Sequence, residues 1–184
     1  MTNPVRRLQV YYEAEGHYAV DRGRGELIVY KALGAVGSHT SLIDVDFTPM
    51  LQTGAGKEAI FDAKDVRFEA APHTLFLTGR GFTSPNARPG AAAGMQHFID
   101  ESGTRAFVHV GGETEKETAV ATARATREIA HTFGVEDCPD PHCITSAPTS
   151  AYELEDFEAI ADPFCGNCAE NLELAGYQAL ATEL

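Results

Sequence analysis

Apolar and polar positions divide the chain into short runs. Leu8–Glu13, Leu27–Tyr30, Thr74–Thr78 and Ala106–Val110 are rich in β-branched and aromatic residues and are bounded by glycine or charge. That is the pattern of strands, and together they predict one mixed sheet. Lys57–Ala71 sets Ala59, Ile60, Ala63, Val66 and Phe68 at helical spacing, which predicts a helix crossing between the second and third runs. Gly79–Gly94, punctuated by Pro85 and Pro89, reads as a surface excursion before a short strand around Met95–Ile99. The sharpest local signal is Thr114-Glu115-Lys116-Glu117. Thr114 can accept from the Glu117 amide while the Glu117 carboxylate returns to the Thr114 amide, so a helix starts there. It runs through Val120, Ala123, Ile129, Ala130 and Phe133 to Gly134, a residue suited to the left-handed turn that ends helices. Two later helical patterns, near Leu154–Ile160 and Asn171–Leu180, flank Cys165 and Cys168.

Length and apolar content fit a single domain over 1–184: 184 residues, 43% hydrophobic. No run is apolar enough to span a bilayer, and Met1–Tyr12 lacks a signal-peptide core, so a soluble, cytoplasmic protein without a membrane partner is expected. Acidic side chains number 27 against 14 basic ones, for a net charge of -13. No basic cluster exceeds Arg6-Arg7, so nucleic acid is not an expected partner. Only four of the cations are lysines, and the carboxylates are spread along the chain. This is the composition of a halophilic protein, because at molar salt the screening length falls to about 3 Å and dispersed carboxylates cease to repel one another. An ordinary acidic protein is the alternative.

All four cysteines lie in the last third, as Cys138-x4-Cys143 and Cys165-x2-Cys168. Two short-spaced pairs joined by a longer connection can turn four thiolates toward one tetrahedral ion, with tight turns supplied by Pro139, Pro141, Gly166 and Asn167. A structural Zn2+ site is the leading expectation. An iron–sulfur cluster, which uses the same ligands, and four unrelated buried thiols are the alternatives. With every coordination position filled by protein, such a zinc would staple a C-terminal lobe, about 138–184, to the preceding helix without activating water.

Immediately upstream stands Arg127-Glu128-Ile129-Ala130-His131-Thr132-Phe133-Gly134-Val135-Glu136-Asp137. Positions 127 and 131 are one helical turn apart on one face, and 128 lies beside that face. The stretch resembles the metzincin zinc signature H-E-x-x-H-x-x-G-x-x-H/D. The cysteine pairs that follow, with Phe164-Cys165-Gly166-Asn167-Cys168 near the end, make the chain similar to the archaemetzincins over about Thr114–Cys168. The resemblance implies a metzincin-type α/β (α+β) fold: a twisted mixed sheet, a long active-site helix and a zinc-stapled helical lobe. It also implies peptidase chemistry in which a zinc-bound water is deprotonated by the glutamate at 128.

The motif is degenerate at three places. Arg127 stands at the first ligand position and has no lone pair to give a metal. Asp137 stands at the third, where archaemetzincins have histidine. Cys143-Ile144-Thr145 replaces the family's C-x-M, so the methionine beneath the catalytic metal is missing. Glu128 remains as a residual general base, and His131 and Asp137 remain as candidate ligands of a second metal. Two ligands do not make the three-residue site catalytic zinc requires, so one structural zinc and no second, catalytic one is the expectation. The paired changes suggest a specific substitution: a guanidinium–carboxylate bridge between Arg127 and Asp137 in place of a metal bridge.

The reading leans toward an inactive peptidase homologue that holds a peptide or a protein partner in the former cleft. One alternative is a working metallopeptidase with Glu128 as base and a metal held by His131, Asp137 and an unidentified ligand. A redox role for the four thiols is another. His142, in the first cysteine loop, reads as a solvated or supporting residue, and His97 and His109 as sheet-face residues.

Overall fold

A computed structural model describes residues 6–37, 43–51, 58–67, 71–83, 97–100, 102–146 and 162–181. Its strands are β1 (Arg6–Glu13), β2 (Ile43–Met50), β3 (Ile60–Asp62), β4 (Thr74–Thr78), β5 (Gly81–Thr83), β6 (His97–Ile99) and β7 (Arg105–His109). Among the described residues three helices accompany them, α1 (Arg22–Gly37), α2 (Glu115–Thr132) and α3 (Gly166–Ala181). The main sheet has the order β2-β1-β4-β7-β6, with four parallel strands and β6 antiparallel at one edge. A mixed sheet with a long helix and a C-terminal cysteine cluster is thus the architecture, as expected.

The central strands are buried on both faces, which is why they read as unbroken apolar runs. Val10, Leu75 and Ala106 are in register, as are Tyr12, Leu77 and Val108, and they face the helical side with Ile28, Val29, Ala123 and Ile129. The alternate positions Tyr11, Phe76 and Phe107 form an aromatic row on the other face, packed with Phe82, Val66 and Ala63. At the end of β1, the buried carboxylate of Glu13 accepts from Arg80 Nη2 at 2.6 Å and from Thr78 Oγ1 at 2.5 Å. Arg80 Nη1 also reaches the Glu58 carbonyl, tying the small β3–β5 pair to the main sheet.

Three sequence expectations are corrected here, the first being that the surface excursion expected over Gly79–Gly94 begins with the strand β5, whose Phe82 is fully buried. Leu27–Tyr30 is the middle of α1, not a strand. Its β-branched and aromatic residues suggested extension, but Ile28, Val29, Ala32 and Val36 form a helical stripe against the sheet, and tertiary burial overrides local propensity. The described part of the expected crossing helix, 58–67, forms β3 and a 3-10 turn, Ala63–Asp65, whose apolar residues cover the aromatic face. The pattern near Leu154–Ile160 lies outside the described residues, whereas Asn171–Leu180 falls within α3.

Helix α2 starts where its sequence directs. Thr114 Oγ1 accepts from the Glu117 amide at 3.2 Å, and Glu117 accepts in return from the Thr114 amide and hydroxyl and from the Gly112 amide. A Cβ at Gly112 would stand 2.5 Å from Glu117 Oε2, so only glycine permits this approach. Bonds from Thr114, side chain first and then amide, hold the Glu117 carboxyl below the usual glutamate range. A depressed folded pKa means the stabilisation is complete above the unfolded value of about 4.3 and is lost as pH falls through the lower folded value. Glu117→Gln is therefore expected to flatten the acid limb of the unfolding curve, checked by urea titration between pH 6 and 3 (roughly, spanning that pKa).

Candidate metal centre and the adjoining ion-pair cluster

The far end of α2 brings the site residues together. After Thr132 the helix stops at Phe133, and Gly134 turns left-handed at φ +92°, where a side chain would be strained. The Gly134 amide donates to the His131 carbonyl at 2.9 Å and the Val135 amide to the Ala130 carbonyl at 3.2 Å, a Schellman closure. This turn sends Val135–Asp137 back beneath the helix. His73 Nδ1 meets the Thr132 carbonyl at 2.7 Å, and its ring packs edge-on against Phe133.

Cys138 follows directly. The Sγ atoms of Cys138, Cys143, Cys165 and Cys168 all lie within 4.8 Å of one another, and all four thiols are free. Zn–S bonds of about 2.3 Å place the sulfurs of a tetrahedral site about 3.8 Å apart. Cys138 and Cys165 are separated by 3.6 Å, so this donor set fits zinc. A multi-iron cluster fits less well, because its own irons and sulfides would push some of the sulfurs farther apart than this.

The protein also supplies donors to the sulfurs. The Asp140 amide points at Cys138 Sγ at 3.4 Å and the Cys165 amide at Cys143 Sγ at 3.5 Å. The fully buried Thr145 hydroxyl lies 3.2 Å from Cys143 Sγ and 3.3 Å from Cys168 Sγ. Cys165 and Cys168 sit at the start of α3, where the helix dipole favours negative charge. Burial pushes the Cys138 and Cys168 thiols above the usual range. Burial also pushes on Cys143, but bonds from the Cys165 amide and Thr145 outweigh it and bring that thiol below its usual range. Phe164, Cys168 and Leu172 complete the packing of α3 against the main core.

Beside the cysteines lies a second cluster. Arg127 is only 7% exposed, and its Nη2 donates to Asp137 Oδ1 at 2.7 Å. Its Nη1 donates to the Ser146 carbonyl and, at 3.3 Å, to that of Ile144. Glu128, 2% exposed, places Oε1 3.5 Å from Arg127 Nε. His131 Nδ1 donates to the Val135 carbonyl at 2.6 Å, which turns Nε2 to the other side of the ring. Nε2 in turn lies 3.5 Å from Asp137 Oδ1. Two atoms that serve as metal ligands elsewhere thus converge, and a guanidinium N–H donates to one of them. Asp137 is the solvent-facing member, its side chain 61% exposed.

His109 ends β7 with Nδ1 3.0 Å from the Arg80 carbonyl, its pKa lowered by burial and by Arg124. His142 is exposed in the Cys138–Cys143 loop, and His97 lies on β6. Sequence reasoning noted Thr145 only as the absence of a methionine. It did not foresee the carbonyls of Val135, Ile144 and Ser146, because backbone acceptors carry no residue-type signal.

No protein-family model and no curated protein matches this sequence. Solved structures do match in shape. The archaemetzincin of Methanopyrus kandleri superposes with a TM-score of 0.68 at 20% identity, over 92% of this chain and 94% of that one. A zinc-dependent peptidase of Methanocorpusculum labreanum gives 0.64 at 15% identity, over 90% and 99%. The archaemetzincin of Archaeoglobus fulgidus, solved with malonate, gives 0.60 at 17% identity, over 91% and 99%.

Proposed function

We propose that this chain, which has the archaemetzincin fold, is a peptidase homologue that has exchanged its catalytic metal for an internal cation and now holds a peptide or a protein partner in the former cleft. The observation that carries this reading is the 2.7 Å bond between the buried Arg127 guanidinium and Asp137. Arg127 keeps its charge at any physiological pH and has no lone pair, so it fills a cation's place without activating water. Glu128 keeps the position of the family's general base, but its Oε1 faces that same guanidinium at 3.5 Å.

Zinc bound at the four thiolates would supply folding free energy and, with no open coordination position, no hydrolytic chemistry. Residues 1–184 then act as one domain, with the lobe from about 138 pinned to α2. β6 closes the sheet order at its antiparallel edge, next to β7, and an extended peptide could add there by strand pairing. No helix among the described residues is long and apolar enough to cross a membrane. That and four unpaired thiols favour the cytoplasm.

Metal counting on the purified protein tests the reading. One zinc per chain and no hydrolysis of unfolded protein substrates is the expected result. The competing reading, a working enzyme, draws on the convergence of His131 Nε2 and Asp137 Oδ1 at 3.5 Å. It requires two metals per chain and peptide hydrolysis that disappears in Glu128→Ala.

The acidic surface belongs to the same proposal as adaptation to high salt. Thermal stability is expected to climb between 0.1 and 2 M KCl, roughly the range over which the screening length contracts from 10 Å to below 3 Å. A melting temperature that stays flat or falls across that series would make this an ordinary acidic protein.

A further inference from the structure

Three acceptors of the Arg127 side chain lie beside metal-binding cysteines, two along the chain and one across a backbone bridge. Asp137 immediately precedes Cys138, Ile144 immediately follows Cys143, and Ser146 pairs with Cys138 in a parallel bridge. The segment 143–146 therefore has two sides. One presents the Cys143 thiolate and the Thr145 hydroxyl to the four-sulfur site. The other presents the carbonyls of Ile144 and Ser146 to the guanidinium. The Thr145 carbonyl between them accepts from the Cys138 amide at 3.0 Å, which locks the two sides to one backbone geometry.

We infer that Arg127 is a positioning residue for the thiolate metal site, and that metal loading there and closure of the guanidinium cage are thermodynamically coupled, with Thr145 as the link. Arg127 acts through the backbone beside the sulfurs. It fixes the two backbone carbonyls that set where Cys143 and Thr145 point, and a metal drawing the four sulfurs together fixes the same segment from the other side. The coupling is reciprocal, so each event strengthens the other. Groups that orient metal ligands typically change affinity by about 10- to 100-fold when removed. The inference rests on the proposed function in one respect: a guanidinium, not a second metal, lies against Asp137.

The test is titration of the full-length metal-free protein with Co2+, read by thiolate-to-cobalt charge transfer, followed by Zn2+ competition. That absorption reports the cysteine site alone. Arg127→Ala and Thr145→Val are each expected to weaken Co2+ binding by about 10-fold or more while keeping one tetrathiolate ion per chain, with Arg127→Lys intermediate. Phe82→Leu, in the aromatic layer on the other face of the sheet, should lower stability and leave the affinity unchanged. Wild-type affinity in Arg127→Ala would overturn the coupling. If that variant does not fold, unchanged affinity in both Arg127→Lys and Thr145→Val overturns it equally. A second cobalt on the wild-type chain, without charge-transfer intensity, would instead overturn the proposed function, while the charge-transfer titration still decides the coupling.

Discussion

Arg127→His is expected to convert a one-metal protein into a two-metal protein. His131 Nε2 and Asp137 Oδ1 are already 3.5 Å apart. Two ligands each about 2.1 Å from a tetrahedral zinc lie about 3.4 Å apart, so the spacing needs little adjustment. What the wild-type pocket lacks is a third lone pair one helical turn before His131, and what it contains there is a positive charge that repels a metal ion. The substitution reverses both conditions at once. Zinc stoichiometry by mass spectrometry should rise from one to two per chain. A low hydrolytic activity toward unfolded protein substrates should accompany it, through Glu128 acting as general base on zinc-activated water, and should vanish in Arg127→His/Glu128→Ala. The change also removes the guanidinium donor from the Ile144 and Ser146 carbonyls, at a cost of about 1–3 kcal/mol for each carbonyl left buried and unpaired. Weaker metal-free stability is therefore part of the prediction. A variant that folds and still binds a single zinc would show that Arg127 does not occupy a cation's place.

The second large effect is expected from metal removal. Structural zinc contributes apparent free energies of about 10–16 kcal/mol in small zinc-dependent peptides. Here the four sulfurs join two segments, 138–146 and 162–172, whose packing against the rest of the core is carried by Ile144, Phe164, Leu172 and the cysteines themselves. Exhaustive chelation, or Cys143→Ser, should release α3 and the loops that carry the cysteines. Hydrogen exchange should then rise over 138–146 and 162–174, while β1, β4 and β7, buried on both faces, keep their protection. The melting temperature should fall by more than for any single core truncation. Retention of α3 protection after verified metal loss would mean that apolar packing, and not the metal, holds the lobe.

The three local signals that survived folding unchanged have a common character. The Thr114–Glu117 box, the Gly134 stop and the spacing of the cysteine pairs each involve groups a few residues apart, whose interaction is set by covalent geometry. The misread elements have the opposite character. Leu27–Tyr30 leaves Leu27 and Tyr30 exposed while Ile28 and Val29 are buried, an outcome fixed by how α1 lies across the sheet. In 58–67, Ala63 and Val66 pack against Phe76, Phe82 and Phe107, residues that no local window includes. Apolar spacing over so short a stretch cannot separate a helix from a strand and turn.

The candidate site divides along the same line. Residue chemistry alone established that four thiolates can share a metal, that Arg127 cannot be a ligand, and that an opposite charge ten residues on could pair with it. Only the tertiary structure decided that the guanidinium is buried, that Asp137 meets it from the solvent side, and that backbone carbonyls beside the metal-binding cysteines complete its cage. The physical reason is that valence and charge belong to side-chain identity, whereas desolvation and carbonyl direction exist only once distant segments have packed.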